Sequence, residues 1–303
     1  MPDATVGGDR SAATRVLRRS GGSVLRGWGI ATAGLRPSPD FLLIGTKRGG
    51  TTSLGRYLFA HPGVAQLFPK QATPKGVRYV DEHPERSARW YRSHFATVIV
   101  RGPAVHPRKL AGEATANYLF HPDGAALAHA VAPDAKILVL VRDPVERAWS
   151  HWRERTRRGV ETLSFDDALA AEEDRLTAAF AGGGATAGNV AYRAQGRYAE
   201  LLPPWFERFG RDRVLVLVSE EFYADPAARY AEAVAFLGLA AHSLGEYPAY
   251  NFRPPTEAMR EETRAELERY FAPRNRGLEE LLGRELPWAH RPPTDRPRKD
   301  QEA

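Results

Sequence analysis

Three short runs of apolar residues, at 41–45, 137–141 and 214–218, dominate the hydrophobic pattern of the chain. Each run is continuous rather than alternating, which predicts a strand that is buried on both faces. Segments of mixed apolar and polar residues follow the first two runs at 51–60 and 144–158, and their end signals predict helices. Strands of this kind alternating with helices predict an α/β fold, in which a mostly parallel sheet is flanked by helices.

Composition divides the 303 residues into three regions. Residues 1–37 hold few large apolar side chains and many Gly, Ser, Ala and Arg, which predicts a flexible basic segment with one short helix. Residues 38–288 carry the pattern of strands and helices, ending with a helix over 256–282, and predict one domain. Residues 289–303 are rich in proline and charge, which predicts a disordered tail.

The N-terminal segment allows more than one interpretation. Residues 12–30 mix Val, Leu, Trp and Ile with arginines, which is typical of a basic amphipathic segment that contacts anionic lipid. The alternatives are a helix packed on the domain and a disordered segment. No apolar run approaches the roughly 20 residues that cross a bilayer, and a signal-peptide pattern is missing. We therefore expect a cytoplasmic location, with the inner membrane surface as an alternative.

The charge balance favours an anionic ligand. The chain has 43 Lys and Arg against 37 Asp and Glu, a formal net charge of +6. Such an excess attracts nucleotides, phosphates and acidic sugars, but the cations are too dispersed to indicate a nucleic acid partner. The absence of cysteine excludes disulfides, thiol nucleophiles and thiolate metal sites. Because the histidines fit no common zinc motif, we expect no metal.

A glycine-rich loop links the first predicted strand to the first predicted helix. Its glycines let the backbone approach a ligand, and the helix N-terminus presents N–H groups to an anion. It is not a Walker A loop, because Gly50 is followed by Thr51 instead of a lysine. The loop predicts a phosphate site without a metal, and the alternative is a turn without a ligand. The candidate residues are Thr46, Lys47, Arg48, Gly49, Gly50, Thr51, Thr52 and Ser53.

A second candidate anion site follows the second predicted strand. Arg142 stands at the carboxyl end of that strand, where ligands bind in open α/β sheets. Ser150 comes about two helical turns later, on roughly the same helix face. A guanidinium and a hydroxyl can together hold a phosphate. The alternative is that Arg142 pairs with Asp143 or Glu146 and that Ser150 is a surface residue.

Together these segments resemble the sulfotransferases that use 3′-phosphoadenosine 5′-phosphosulfate (PAPS), especially the branch of the heparan sulfate and other carbohydrate sulfotransferases. Residues 41–54 are similar to the family's 5′-phosphosulfate loop, and 137–152 to its 3′-phosphate motif. Residues 112–118 are similar to the segment with the catalytic base, and 196–198 to a fourth motif. The resemblance implies the P-loop NTPase-like sulfotransferase fold.

The resemblance also implies a role for each matched residue. Glu113 would take a proton from an acceptor hydroxyl or amine. Arg48, helped by Lys47, would neutralise the leaving oxygen, although the family usually has lysine where Arg48 stands, and arginine cannot act as an acid. The loop would hold the 5′-phosphate, and Arg142 with Ser150 the 3′-phosphate. The implied nucleotide site also includes Tyr198 and Arg253, and the product would be 3′,5′-bisphosphoadenosine (PAP).

Other functions and residues stay open at this point. The rivals are a kinase-like phosphotransferase that uses ATP and Mg²⁺, a non-catalytic PAP-binding protein, and a sulfotransferase of membrane glycolipids. The acceptor could be a carbohydrate, a glycolipid or a small natural product, and the oligomeric state is undefined. Rival bases are His83, His94, His106 and His121, and an acceptor could stack on Trp90, Tyr91 and His94.

Overall fold

A four-stranded parallel sheet forms the centre of the chain. The computed structural model describes residues 24–69, 76–102, 108–184, 186–250 and 257–289. The strand order is β2-β1-β3-β4, and each neighbouring pair is parallel. The strands are β1 (Phe41–Gly45), β2 (Gly112–Ala114), β3 (Lys136–Val141) and β4 (Val214–Val218). The three predicted strands and the predicted parallel sheet are therefore confirmed.

The apolar runs form strands because the sheet is covered on both faces. Every residue of β1 is buried, and so are five of the six residues of β3. β1 pairs with β3 from Phe41 opposite Lys136, and the register shifts between Leu43 and Gly45. After this shift, the backbone N–H of Thr46 donates to the carbonyl of Leu140. The loop after β1 therefore begins beside the end of β3, which brings the two predicted anion sites together.

Helices cover both faces of the sheet. The two helices predicted after the first two strands are confirmed at 51–60 and, one residue shorter than predicted, at 144–157. The helices are α1 (24–31), α2 (Thr51–Ala60), α3 (Tyr79–Glu82), α4 (Ala88–Arg92), α5 (Val98–Arg101), α6 (Gly124–Val131), α7 (Pro144–Arg157), α8 (Phe165–Ala170), α9 (Glu172–Ala181), α10 (Ala187–Val190), α11 (Tyr198–Leu201), α12 (Pro203–Phe209), α13 (Ser219–Ala224), α14 (Pro226–Leu237) and α15 (Glu261–Leu282).

The last helix begins later than predicted. Residue 256 lies outside the described residues, and 257–260 are not helical. Arg260 is the N-terminal cap of α15 and has an extended backbone, with φ −59° and ψ 139°. The predicted end is confirmed, because Gly283 follows α15 in the left-handed conformation that glycine adopts without strain.

Helix α1 packs on the domain, which corrects the predicted boundary at residue 38. The Arg26 guanidinium donates to the carbonyls of Ser93 and Phe68, at 3.3 and 3.0 Å. Ala33 and Arg36 are buried. Residues 24–37 thus belong to the folded domain, while 1–23 and the predicted tail from residue 290 lie outside the described residues. In the part of the chain that the structure describes, no helix combines the length and apolar character needed to cross a membrane.

Candidate functional site

The loop between β1 and α2 is a tight turn that depends on two glycines. A Cβ on Gly49 would lie 2.8 Å from Thr46 Cγ2 and 2.9 Å from the Leu140 carbonyl oxygen, too close for any side chain. Gly50, the N-terminal cap of α2, has a φ of 100°. Arg48 also has a positive φ, 69°. This turn places the start of α2, the positive end of the helix dipole, directly after the sheet.

A first cleft of about 300 Å³ is lined by residues from both predicted anion sites. The Arg48 Nε donates to Ser150 Oγ at 3.0 Å, and the Arg142 guanidinium donates to the Arg48 carbonyl at 3.1 Å. The loop residues and the β3–α7 residues therefore lie side by side. The cleft is lined by Arg48, Gly50, Thr51, Thr52, Arg142, Glu146, Trp149, Ser150, Arg153, Ser219, Glu220, Tyr223 and Tyr250.

The start of α7 keeps Arg142 at the end of its strand. The Asp143 carboxylate caps α7 by accepting from the N–H of Val145 at 2.9 Å, with Pro144 in the first turn. Glu146 forms an ion pair with Arg264 at 2.8 Å. Asp143 thus has a hydrogen-bond partner in α7, and Glu146 has an ion-pair partner in α15.

The Arg48 side chain is partly buried, and its hydrogen bond to Ser150 holds it in place. Burial lowers the pKa of its guanidinium, and the nearby Arg142 lowers it further, while Glu154 raises it. Arginine nevertheless stays protonated in proteins. Two guanidinium groups held together in a buried cleft repel each other, and a bound anion would relieve that repulsion.

A second cleft of about 370 Å³ lies on the other side of the start of α2. Thr51 and Thr52 line both clefts, so the two meet at the helix N-terminus. A group bound at this N-terminus would be accessible from either side. The second cleft is lined by Lys47, Thr51, Thr52, Gly76, Arg78, Asp81, Ala114, Thr115, Ala116, Asn117, Glu154, Arg155, Arg158 and Asn189.

Lys47 and Arg48 are neighbours in sequence but line different clefts. The Lys47 ammonium donates to the carbonyl of Gly188 at 3.1 Å in the second cleft. Burial, and secondly the charge of Arg155, lower the pKa of Lys47 to about 7, whereas Glu154 raises it. Lys47 can therefore exchange a proton near neutral pH, which Arg48 cannot.

Glu113 lies in the core of the domain, and its role as the base stays a prediction. Its side chain is fully buried and lines neither cleft. It accepts hydrogen bonds from the hydroxyls of Tyr91, Tyr118 and Thr115, at 2.6, 2.9 and 3.0 Å, and from the N–H of Val77. Burial raises the pKa of Glu113, and these donors oppose the change. Through these contacts Glu113 holds the segment around Val77.

Asp81 is a carboxylate that does line the second cleft. Its side chain is 8% exposed. Oδ2 accepts from Arg78 Nη2 at 3.0 Å and from Asn117 Nδ2 at 3.1 Å. Oδ1 is buried and has no hydrogen-bond partner among the described residues. An ionised carboxylate that lines a cleft is a candidate to accept a proton or a hydrogen bond from a ligand there.

Glu154 is the other carboxylate of the second cleft. It forms an ion pair with Arg158, one turn further along α7. Its charge raises the pKa of both Lys47 and Arg48. Glu154 therefore favours the protonated form of the lysine beside it.

Four of the predicted nucleotide ligands line neither cleft, and a fifth lies outside the described residues. Thr46 and Ser53 are buried and line neither cleft, and Ser53 Oγ accepts from the N–H of Tyr250 at 3.0 Å. Tyr198 is buried, and its hydroxyl accepts from the N–H of Arg142 at 3.4 Å. Gly49 also lines neither cleft and accepts from the Ser219 hydroxyl through its carbonyl. Arg253 lies outside the described residues.

The predicted acceptor-side aromatic residues and rival bases also lie elsewhere. Trp90 packs against His83 and His94, with ring centroids 5.0 and 4.4 Å apart. None of the three, nor Tyr91 or His121, lines either cleft. Burial lowers the pKa of His94 to about 4. His106 lies outside the described residues.

Sequence reasoning missed much of both clefts. Ser219, Glu220 and Tyr223 follow the end of β4, and the rule that ligands bind at strand ends could have found them. Arg155 and Arg158 continue along α7 beyond Ser150. Arg78 and Asp81 carried no readable signal. Among the described residues, no cluster of three or more His, Asp or Glu is arranged to hold a metal ion.

Comparisons with known proteins agree with this geometry. The model of the sulfotransferase family matches residues 39–243. A human heparan sulfate glucosamine 3-O-sulfotransferase 6 is 32% identical over 212 residues, which are 68% of this chain and 54% of that protein. A mouse heparan sulfate glucosamine 3-O-sulfotransferase 3B1 is 28% identical over 211 residues, 68% of this chain and 48% of that protein. The chain thus spans about half the length of these relatives.

A solved structure shows the same fold. The crystal structure of a sulfotransferase from Alicyclobacillus acidocaldarius has a TM-score of 0.65 and 30% sequence identity, and the match covers 84% of this chain and 99% of that one. The predicted fold and the predicted resemblance to the carbohydrate branch are confirmed. The family match spans more than half of the chain, and the two clefts meet where the β1–α2 loop was predicted to bind an anion. The chain belongs to the sulfotransferase family.

Proposed function

We propose that the protein transfers a sulfuryl group from PAPS to a hydroxyl or amine of a carbohydrate or another small acceptor. The observation that carries this proposal is the meeting of two clefts at the start of α2, where Thr51 and Thr52 line both. The first cleft would hold the donor and the second the acceptor. The reacting sulfur would then lie at the helix N-terminus, where N–H groups favour an anion.

The first cleft suits a nucleotide with phosphates on both its 3′ and 5′ sides. The start of α2, with Thr51 and Thr52, would bind the 5′-phosphosulfate. Arg142 and Ser150 would bind the 3′-phosphate, because a guanidinium and a hydroxyl make charge-assisted hydrogen bonds to its oxygens. Arg48 contacts Ser150 at 3.0 Å and so lies beside the same phosphates. ATP has no 3′-phosphate to fill this part of the cleft.

The chemical step would be an in-line transfer. Asp81 takes the proton of the acceptor hydroxyl or amine, and the freed electron pair forms a bond to sulfur. The bond between sulfur and the bridging oxygen breaks, and the electron pair leaves with PAP. Catalysis of this kind consists mostly of positioning and charge stabilisation. Asp81 is assigned this step in place of Glu113, because Asp81 lines the second cleft and Glu113 lines neither cleft.

The leaving oxygen would be stabilised from both clefts. Arg48 supplies a permanent charge from the first cleft. Lys47 supplies a charge from the second cleft, and its pKa of about 7 lets it also donate a proton at neutral pH. Glu154 keeps Lys47 protonated to a higher pH than burial alone would allow.

The acceptor would carry negative charge. Three arginines, Arg78, Arg155 and Arg158, line the second cleft together with Lys47. Such a cluster favours carboxylate or sulfate groups, which acidic sugars carry. Relatives named for heparan sulfate, an acidic carbohydrate, support this choice.

Thermal unfolding with nucleotides tests the donor site. A ligand that binds only the folded state raises the melting temperature. We expect PAP to raise it more than ATP with Mg²⁺ at equal concentration. A larger rise with ATP and Mg²⁺ would favour the kinase-like alternative.

Release of PAP from PAPS tests transfer itself. We expect acidic oligosaccharides to stimulate PAP release more than neutral oligosaccharides of the same length. Binding of PAP without release from PAPS for any acceptor would instead support the non-catalytic alternative.

A further inference from the structure

The three arginines of the second cleft differ in their charged neighbours. Arg78 forms ion pairs with two acidic residues of α3, at 3.0 and 2.6 Å. Arg158 forms an ion pair with Glu154. The Arg155 side chain, in contrast, makes no ion pair and no hydrogen bond with any described residue. Of the three charges in this cleft, the charge of Arg155 is therefore the one that the described part of the protein leaves without an acidic partner.

The carboxylates closest to Arg155 in the chain are paired with other groups. Glu154, the residue before it, is already in an ion pair. Glu161, six residues later, accepts from the Tyr192 hydroxyl at 2.6 Å and from the Arg175 guanidinium at 2.8 Å. A change of side-chain rotamer that gave Arg155 a partner would thus compete with existing contacts.

The Arg155 guanidinium reaches the surface of the cleft. The residue lies in the last turn of α7 and is partly buried. Only its Nε is fully enclosed by protein without a hydrogen-bond partner. The two terminal nitrogens, which line the cleft, are therefore accessible to a ligand. A partly buried cation without a partner is costly, and an anion bound at these nitrogens offsets that cost.

Arg155 also lies near the proposed reacting groups. It shares the second cleft with Lys47. Burial is the main cause of the low pKa of Lys47, and the charge of Arg155 is the second. Lys47 belongs to the loop that leads into α2, where the reacting sulfur was placed. An anionic group bound by Arg155 would consequently lie close to the site of transfer and reduce the repulsion between the two cations.

We propose that Arg155 binds an oxyanion of the acceptor, a carboxylate or a sulfate group, and so selects acidic saccharides. A planar guanidinium can donate two parallel hydrogen bonds to such a group. The inference rests on the proposed function, because it takes the second cleft as the acceptor site. It goes further by assigning the selectivity to one arginine and by placing the charged substituent next to the hydroxyl or amine that reacts.

Binding of saccharides to the full chain tests the proposal. Calorimetric titration with a heparan sulfate hexasaccharide, with PAP at saturation, measures the affinity without requiring turnover. We expect Arg155→Gln to weaken binding about tenfold or more, because it removes charge-assisted hydrogen bonds. Arg155→Lys should lose less, because it keeps the charge. The affinity for a neutral hexasaccharide of N-acetylglucosamine should be the same in Arg155→Gln as in the wild type.

Arg157→Gln is the matched control. Arg157 lies in the same turn of α7, is exposed and lines neither cleft. The variant makes the same change in net charge and should bind the acidic hexasaccharide within about twofold of the wild type. Arg158→Gln should have an effect smaller than that of Arg155→Gln, because Glu154 already neutralises Arg158.

A chemically desulfated form of the hexasaccharide keeps its carboxylates and identifies the group that is bound. A loss in Arg155→Gln that persists with this form assigns the carboxylate. A loss that is seen only with the sulfated form assigns the sulfate. Either result supports the proposal.

Three results would overturn the proposal. The first is a heparan sulfate hexasaccharide that the wild type does not bind, or that Arg155→Gln binds equally well. The second is an equal loss in Arg157→Gln, which would reduce the effect to net charge. The third is a loss of PAP affinity in Arg155→Gln as large as the loss for the hexasaccharide, which would place Arg155 in the donor site. Failure of the proposed function is a separate result, in which PAPS is not consumed with any acceptor although the selective loss of hexasaccharide binding is observed.

Discussion

The two clefts differ in how they are built. The first cleft combines residues that follow β1, β3 and β4 with four residues from the first half and middle of α7. The second combines residues at and after the end of β2 with residues at the C-terminal end of α7 and beside the short helix α3. Both clefts therefore lie at the carboxyl ends of strands, where ligands bind in open α/β sheets. They differ in the strands that they use and in the part of α7 that lines them.

The largest expected effect is a loss of kcat, and it should come from a change in the second cleft that leaves PAP binding in the first cleft intact. Asp81→Asn removes the proposed base from the second cleft with little change in shape. We expect kcat to fall about 10²- to 10⁴-fold, the usual range for a general base. The rise in melting temperature caused by PAP should be unchanged, because Asp81 does not line the first cleft.

Glu154→Gln is the matched control, since it neutralises the other carboxylate of the same cleft. Its effect on kcat should be much smaller than that of Asp81→Asn. Wild-type turnover in Asp81→Asn would remove Asp81 from the mechanism.

The next effect concerns nucleotide affinity in the first cleft. Arg142→Ala should weaken PAP binding about 10- to 100-fold, and Ser150→Ala less, because hydrogen bonds from charged groups are stronger than those from neutral ones. Adenosine 5′-phosphate, which lacks the 3′-phosphate, is the control ligand. Its affinity should change little in Ser150→Ala. Calorimetric titration of both ligands measures the difference, and an equal loss for both would contradict the assignment of the 3′-phosphate.

A change in pH is expected to alter kcat/KM by a smaller factor. The pKa of Lys47 is about 7, so its charge is lost as the pH rises above that value. We expect kcat/KM to fall by at most about tenfold per pH unit above this point, and Lys47→Arg to remove this fall, because arginine stays charged.

As the pH rises, the free energy of unfolding should change in the opposite direction to kcat/KM, which provides a control. The folded-state pKa of Lys47 lies below the ordinary value of 10.5. Between the two values the unfolded chain binds more protons, so the Lys47 contribution to the free energy of unfolding rises with pH. A fall in activity with a parallel fall in stability would point to unfolding instead of Lys47.

The smallest effect on catalysis is expected at Glu113. Glu113→Gln keeps the size of the side chain but replaces an accepting oxygen with an amide N–H among four donors. We expect the free energy of unfolding to fall by about 1–3 kcal/mol. Denaturant titration measures this change, and turnover per folded molecule should fall much less than in Asp81→Asn. A reversal of that order would restore Glu113 as the base.

The fold and several residues of the first cleft could be predicted from sequence because their signals are local. Continuous apolar runs at 41–45, 137–141 and 214–218 mark strands that are buried on both faces. Arg142 and the glycines before α2 stand directly after such strands, so their position follows from the sheet. The positions of Thr51 and Thr52 could be predicted in the same way, because the predicted helix begins there.

Side-chain direction was the part that sequence did not reveal. Successive side chains on a strand point to opposite faces, and Ala114 lines the second cleft, so Glu113 next to it points into the core. A strand of three residues has no hydrophobic alternation from which this could be read. Ser53 likewise turns toward the backbone of Tyr250 while Thr51 and Thr52 face the clefts.

The acceptor side was missed because its residues lack a pattern. Asp81 belongs to α3, a helix of four residues that shows no periodicity, and Arg78 is the N-terminal cap of that helix. Their position depends on Glu113 and Tyr118, which hold the N–H groups of Val77 and Tyr79. Contacts of this kind join segments more than thirty residues apart and leave no mark on the local sequence.

Helix α7 forms a wall shared by both clefts. Its middle turn carries Ser150 and Arg153 to one side, its last turn carries Glu154 and Arg155 to the other, and Arg158 follows as its C-terminal cap. Under the proposed function, a rigid rod of this kind lets exchanges near its C-terminal end change which acceptor is chosen while the contacts with the nucleotide are preserved. Evolution could thus diversify the substrates of such an enzyme by altering a single helical turn.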